Sequence, residues 1–419
     1  MANHVHKMRE LCEITSSKRI FAADYKSEGV PFYRGKEISE KYRGNLDVST
    51  ELFIDRDKFE QIRAKFGAPV AGDLLLTSVG TLGSPYVVNE REEFYFKDGN
   101  LTWFRNFKHL DSWFLYYWLQ SPQGKAELKK CTIGSSQSAY TIVLLKAIEI
   151  SLPPLPTQRK IAAILSAYDD LIENNLRRIK ILEEMAQNLY REWFVKFRFP
   201  GYEQARFTDS PLGRIPEGWE VVSFTEIADV LSGGTPKTTM QEYWGGSIPF
   251  FAPKDAPESF YVTNTEKAIT ELGLRKCNSK LYPKDTVFIT ARGTVGKVVM
   301  PSMDMAMNQS CYALRGKQGI RQPYLFLVTR EQIDYLKKNT GGATFDTIVV
   351  DTFRRMLVVK PVNEVIVRFS QLIQPEMDSI LNILKKNATH PPHPRPAFTQ
   401  THLRRGGCVG AGYRRSRRG

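Results

Sequence analysis

Long apolar runs are missing from this 419-residue sequence, and none approaches the ~18 residues that a membrane span requires. The opening MANHVHKMRE carries no apolar segment of the kind secretion signals use, so a cytoplasmic protein is expected. Cysteine is scarce: Cys12, Cys131, Cys277, Cys311 and Cys408 are odd in number, dispersed, and without a CxxC pair. That argues against a disulfide framework and against a zinc site, and it fits a reducing compartment. Acidic residues and lysine are absent from Ala388 to Gly419, where seven Arg supply +7 of the formal +14. The rest of the chain is thus only mildly basic and points weakly to an anionic partner. With 42% hydrophobic and 11% aromatic residues, wholesale disorder is excluded. At roughly 150 residues per domain, two or three domains are expected.

The tail, rich in Pro, Gly and Arg and without periodicity, reads as a disordered basic segment. It is expected to be out of frame. Codons exist for HPPHPRPAFTQTHLRRGGCV that, shifted by one base, spell the amphipathic TRRTRDLLLPKLISGEVDV.

An internal duplication organises the body. LLLTSVGTLG (Leu74 to Gly83) aligns with VFITARGTVG (Val287 to Gly296), sharing Thr77/Thr290, Gly80/Gly293, Thr81/Thr294 and Gly83/Gly296. Upstream, VPFYRGKEI (Val30 to Ile38) matches IPFFAPKDA (Ile248 to Ala256). Downstream, LKKCTIGSSQSAYTI resembles LKKNTGGATFDTI. Each copy has short β-branched and aromatic runs bounded by Gly, Pro and Asp. Each also has one helix-like stretch, DSWFLYYWLQS or QPYLFLVTREQIDYLKK, and a final strand, AIEISLPP or RMLVVKP. Lys97-Asp98-Gly99-Asn100 is expected to turn a hairpin between FYF and LTWF. Two mixed α+β domains follow.

Between the copies, Ile161, Leu165, Tyr168, Ile172, Asn175, Ile179, Leu182, Ala186, Leu189 and Trp193 are spaced alternately by four and three. This heptad seam predicts a coiled-coil helix of roughly 50 Å, N-capped by Thr157 and stopped at Pro200-Gly201. Asn175 would fix its register. A second helix after the second copy, through Ile366, Phe369, Ile373, Met377, Ile380 and Leu384, offers a partner and should kink or restart at Pro375. The expected organisation is α+β: two duplicated mixed domains separated by long antiparallel coiled-coil helices. The boundaries are 1–155 and 200–362 for the copies, 156–199 and 363–387 for the helices, and 388–419 for the tail.

Catalytic constellations fare poorly. Gly293 to Lys297 faintly resembles a phosphate-binding loop, but Ala291 and Val298 occupy the positions of its first glycine and its hydroxyl. Ser151-Leu152-Pro153-Pro154-Leu155 lacks the amide and aromatic of an amino-methyltransferase loop. The six histidines form no metal-ligand spacing. Binding is better supported, by basic and amide side chains beside Gly-rich loops. In the first copy these are Lys18, Arg19, Arg34, Lys36, Lys129, Lys130 and Gln137. In the second they are Lys237, Lys254, Arg292, Asn308, Gln309, Lys337 and Lys338.

The motifs PEGWEVVSFTEIADVLSGGTP, VPFYRGKEI/IPFFAPKDA, FLYYWLQS, LKKNTGGATFDTI and PLPTQRKIAAILSAYDDLIENNLRRIKILEEMAQNLYREWF cover roughly 1–387. In them the chain resembles the DNA-specificity subunit of type I restriction–modification systems. The resemblance implies two target-recognition domains, each reading half of a bipartite double-stranded DNA sequence, with the helices setting the unread gap. It implies two methyltransferase subunits docked on the helices and two translocating restriction subunits. S-adenosylmethionine, ATP and Mg belong to those partners, and this chain is expected to bind no cofactor and catalyse nothing. A stand-alone or inactive DNA-binding scaffold derived from the family is the alternative, distinguished by a gel shift with and without methyltransferase subunits.

Overall fold

The structure, a computed structural model, describes residues 4–44, 48–134, 138–339 and 347–389. The expected tail disorder therefore concerns residues that, from 390 onward, lie outside the described set. Its contacts divide the chain after Asn174 into two units.

In unit 1, β1 (His4–Lys7) leads into α1 (Met8–Leu11) and β2 (Glu13–Thr15). Next come β3 (Val30–Tyr33), α2 (Gly35–Tyr42), β4 (Leu74–Thr77), β5 (Pro85–Val87), β6 (Tyr95–Phe96) and β7 (Leu101–Arg105). Helices α3 (Ser112–Gln120), α4 (Pro122–Lys130) and α5 (Ile142–Ala147) precede β8 (Glu149–Leu152). An antiparallel sheet in the order β2-β7-β4-β5 packs against α3, which is apolar nearly all round and buried from Phe114 to Gln120. Asp111 caps α3 through the Phe114 N–H at 3.0 Å. A second sheet pairs β3 in parallel with β6. The central helix, α6 (Leu155–Tyr190), continues the chain from unit 1 into unit 2.

Unit 2 repeats the plan. β9 (Glu220–Ser223), α7 (Phe224–Ile227) and β10 (Ala228–Ser232) correspond to β1, α1 and β2. Then come β11 (Trp244–Phe251), β12 (Val287–Thr290), β13 (Val298–Pro301), β14 (Ala306–Met307) and β15 (Cys311–Gly316). The sheet runs β10-β15-β12-β13 before a last short strand, and β11 pairs in parallel with β14 as β3 does with β6. Helices α8 (Gln322–Asn339) and α9 (Val350–Arg355), strand β16 (Leu357–Lys360) and helix α10 (Asn363–Thr389) complete it. β9 pairs with β16 over four residues, as β1 does with β8.

Several expectations are corrected. The turn at Lys97 to Asn100 makes no hairpin, because β6 pairs with β3 and β7 pairs with β2 and β4. Tyr95 and Phe96 are both buried, so the chain changes sheets at the turn instead of folding back on the same one. α6 begins at Leu155, and Thr157 is no cap: its N–H and that of Gln158 already reach the Pro154 carbonyl at 2.8 and 3.1 Å. Pro156 is tolerated because the first turn has no intrahelical N–H bond to lose. The helix ends at Tyr190 in a widened π turn, Arg191–Val195, that buries Trp193 and Phe194 well before Pro200. Helix α10 passes through Pro375 without restarting. Pro375 is exposed, so water can satisfy the carbonyl it frees, while Ile373 and Met377 hold the helix to the core.

The heptad seam divides into two faces. In unit 2, Asn175, Ile179, Ala186 and Trp193 are buried, with Leu182 and Leu189 packed beside them. The rings of Tyr190 and Trp193 lie 6.2 and 5.5 Å from Phe369, and Asn175 donates to the Asn387 Oδ1 at 2.8 Å. α10 therefore runs antiparallel to this half of α6. In the first half, Ile161 and Tyr168 are 36% and 44% exposed, and Leu165 and Ile172 are partly buried. There α6 packs against α3 and the rest of the unit 1 core, so Gln158, Ala162, Leu165 and Asp169 face inward. Gln158 bonds the Asp111 N–H and the His109 and Pro153 carbonyls, and the Tyr117 hydroxyl donates to Asp169 at 2.6 Å.

Candidate nucleic-acid interface

The duplicated loop after β4 and β12 has one backbone design. In unit 1 the Gly83 N–H reaches the Thr77 carbonyl at 2.9 Å, and the Ser84 N–H reaches Thr77 Oγ1 at 2.9 Å. In unit 2 the Gly296 and Lys297 N–H groups make the same bonds to Thr290, at 2.8 and 2.9 Å. Gly80 and Gly293 have φ of 79° and 80°, which glycine adopts without penalty, and a Cβ at either would meet open space. Both loops thus present backbone to the surface. The Ser78 N–H binds the Asn100 carbonyl where the Ala291 N–H binds that of Ser310, which places Val79 and Arg292 at equivalent positions.

Beside this loop, unit 1 has a cleft of about 580 Å³ between the start of α2 and Gly80-Thr81. Arg34, Lys36, Arg43 and Asn100 line it, together with Ser39, Glu40 and Glu51. Arg34 is held in place by Glu37, which is 2% exposed: Nη2 lies 2.9 Å from Oε1, and the Arg34 backbone N–H reaches Oε2 at 2.8 Å. Burial pushes the Glu37 carboxyl up, but the Arg34 guanidinium and the backbone N–H groups at the helix start outweigh it and hold the carboxyl below its usual range. Lys41 anchors the other end of α2. Its ammonium, 2% exposed, bonds Glu92 at 2.6 Å and faces the Tyr33 and Tyr86 rings.

Unit 2 keeps the frame and changes the side chains. The Ala252 N–H donates to Asp255 at 2.8 Å, as Arg34 does to Glu37, but Ala252 carries no cation. Lys254, the counterpart of Lys36, is paired with Glu266. Arg292 and Lys237 are exposed here, and neither makes an ion pair among the described residues. Gly233 lets the SGGTP segment touch the turn after β14, since a Cβ there would lie 2.0 Å from the Asn308 carbonyl. That contact brings Thr235 to Gln309, which accepts from the Thr235 hydroxyl, while the Asn308 Oδ1 accepts from the Ser310 N–H at 3.0 Å; Lys237 is exposed two residues beyond Thr235.

The remaining predicted residues are distributed as follows. Lys18 is exposed over the Phe66 ring, and Arg19 pairs with Asp98 at 2.9 Å. Lys129 is exposed on α4, and Lys130 pairs with Glu127 at 2.7 Å. Lys337 bonds the Gly296 carbonyl at 2.7 Å and so braces the glycine loop, and burial lowers its pKa. Gln137 lies outside the described residues, as does the side chain of Lys338. Arg43, Asn100, Ser39 and the brace Glu37 escaped the sequence reading. The spacing of Arg34 and Glu37 at the start of a helix was the one signal that could have found the brace.

A family model described as the type I restriction modification DNA specificity domain matches residues 3–184 and 216–382. The chain is 31% identical over 199 residues to the type I restriction enzyme MjaIX specificity subunit of Methanocaldococcus jannaschii, a match covering 46% of this chain and 45% of that one. The putative MjaX specificity subunit of the same organism is 25% identical over 358 residues, covering 82% and 79%. The crystal structure of a type I system S subunit from M. genitalium superposes with a TM-score of 0.53 at 15% identity, over 93% of this chain and 95% of that one.

Proposed function

We propose, from the premise that the chain belongs to the type I restriction–modification DNA specificity family, that it is the subunit that chooses the DNA sequence in such a complex. Each unit reads one half of a bipartite duplex target, and α6 with α10 sets the unread gap. The apolar positions that α6 leaves exposed, Ile161, Ile164, Tyr168 and Leu171 among them, are the docking surface for methyltransferase subunits. Two methyltransferase and two restriction subunits supply S-adenosylmethionine, ATP and Mg chemistry, and this chain is their non-catalytic guide in the cytoplasm. No described helix is long and apolar enough to cross a membrane.

The observation that carries this reading is the repeated loop with exchanged side chains. The two glycine loops share their backbone bonds to Thr77 and Thr290, and an acidic cap lies three residues after both Arg34 and Ala252. Yet the copies place an arginine at different corners, Arg34 in one and Arg292 in the other. Identical scaffolds with different polar tips are what two readers of two different half-sites require. The test replaces residues 1–155 with those of another family member and maps methylated sites in DNA modified by the assembled complex. One half-site should change and the other persist. Simultaneous change of both halves, or of neither, would end the modular reading.

A further inference from the structure

The cleft of unit 1 does more than attract phosphate. We infer that it reads the edge of a G·C base pair, with Arg34 as the guanine-recognising residue. The inference rests on the DNA-reading role proposed above and deepens it.

Three observations converge. The first is the bracing of Arg34. One edge of its guanidinium is taken by the buried Glu37, and the side chain stays 34% exposed toward the cleft. A phosphate contact needs only a point charge, which a mobile lysine provides, whereas bidentate pairing to guanine O6 and N7 needs a planar fork in a fixed orientation. The ion pair fixes that orientation before DNA arrives, so less side-chain freedom is lost on binding.

The second is the charge of the walls. Arg34, Lys36 and Arg43 stand with Glu40 and Glu51 around one opening. Two carboxylates in a phosphate site would repel its ligand. Facing a base pair they are useful, because a carboxylate accepts from the cytosine amino group across from guanine. The third is what remains unfilled. Ser39 is 5% exposed and its hydroxyl has no hydrogen-bond partner among the described residues, while Gly80 leaves open space where any side chain would obstruct a close approach. A buried hydroxyl without a partner is a group that a bound ligand or its bridging water satisfies.

The duplication sharpens the assignment. Unit 2 retains the capping carboxylate, Asp255, but has Ala252 in place of the arginine. Guanine reading at this corner therefore belongs to one half-site alone.

The experiment selects from a random-sequence duplex library with the full chain, alone and with methyltransferase subunits, and sequences the bound DNA. Wild type should enrich two blocks, one containing a G·C pair read by unit 1. Arg34→Lys keeps the charge but loses the fork, and should lower preference at that pair about 10- to 100-fold while leaving the second block intact. Arg34→Gln combined with Glu37→Gln removes both charges without stranding a buried carboxylate, and should give the same loss with the fold retained by circular dichroism. Retention of the guanine in both variants, with both blocks still enriched, overturns the role of Arg34 and leaves the family reading standing. A wild-type chain that enriches no bipartite sequence in either format overturns the parent reading, and this inference with it.

Discussion

Unit 1 places an arginine at position 34 and a valine at 79; unit 2 places alanine at the first equivalent position, Ala252, and arginine at the second, Arg292. The threonine hydroxyl under the glycine loop and the acidic cap three residues on recur in both, although α2 of unit 1 is replaced by a single 3-10 turn, Pro253–Asp255, in unit 2. The loop and capping bonds thus recur within one chain while the chemistry at the corners moves. A scaffold whose backbone hydrogen bonds are satisfied internally leaves its surface side chains free to vary, provided that a buried partner such as Glu37 changes with them.

The comparison can be broken most forcefully at Lys41, which has this environment only in unit 1. Lys41→Ala leaves the half-buried Glu92, bonded to Tyr86, without its cation and should cost unit 1 about 3 kcal/mol, the low end for breaking a buried pair. Hydrogen exchange should quicken through α2 and its sheet and stay unchanged in unit 2. Equal loss in both units would show that they do not fold as separate structures.

A smaller effect is expected in unit 2, where Asn175 and Asn387 form a polar layer between α6 and α10. Asn175→Leu alone should cost about 1–3 kcal/mol by leaving the Asn387 Oδ1 without its donor, and Asn387→Leu added to it should recover most of that loss. A urea-unfolding cycle reads the coupling directly. Additive effects would mean that the pair has no role in holding the two helices in register.

The smallest effect concerns pH. The Glu37 carboxyl titrates below its ordinary value in the folded unit, so its contribution is fully present above the unfolded value of about 4.3 and is lost as pH falls through the lowered folded one. Wild type and Glu37→Gln should therefore differ in unit 1 stability at neutral pH and converge in acid. A gap that persists at pH 2 would assign the effect to the shape of the side chain and not to its charge.

Much of the fold was legible because repetition and periodicity are local signals. The Thr77/Thr290 loop declared itself by identical residues, and α3 and α8 by dense apolar stretches. What misled was also local. Lys97 to Asn100 has the composition of a hairpin turn, yet the partner of Tyr95 and Phe96 is β3, far away in sequence. The heptad seam of α6 was continuous in sequence but packs on two different surfaces, so Ile161 and Tyr168 lost their place in it. At the cleft, Arg34 and Lys36 were found by charge. Arg43 looked like any other surface cation, Asn100 was read only as a turn residue, and Ser39 carries no charge to draw attention.

The amino-acid order alone determined that there are two copies of one α+β design, joined and followed by amphipathic helices, because hydrophobic period and turn chemistry act between near neighbours. Tertiary structure alone decided which cations remain available. Lys41 is spent on Glu92 inside the fold and Lys337 is taken by a glycine carbonyl, whereas Arg34, paired with Glu37, stays partly exposed at a cleft and Arg292 is exposed. Whether a charged side chain is spent inside the protein or left to meet another molecule depends on neighbours that only folding brings within a few ångströms.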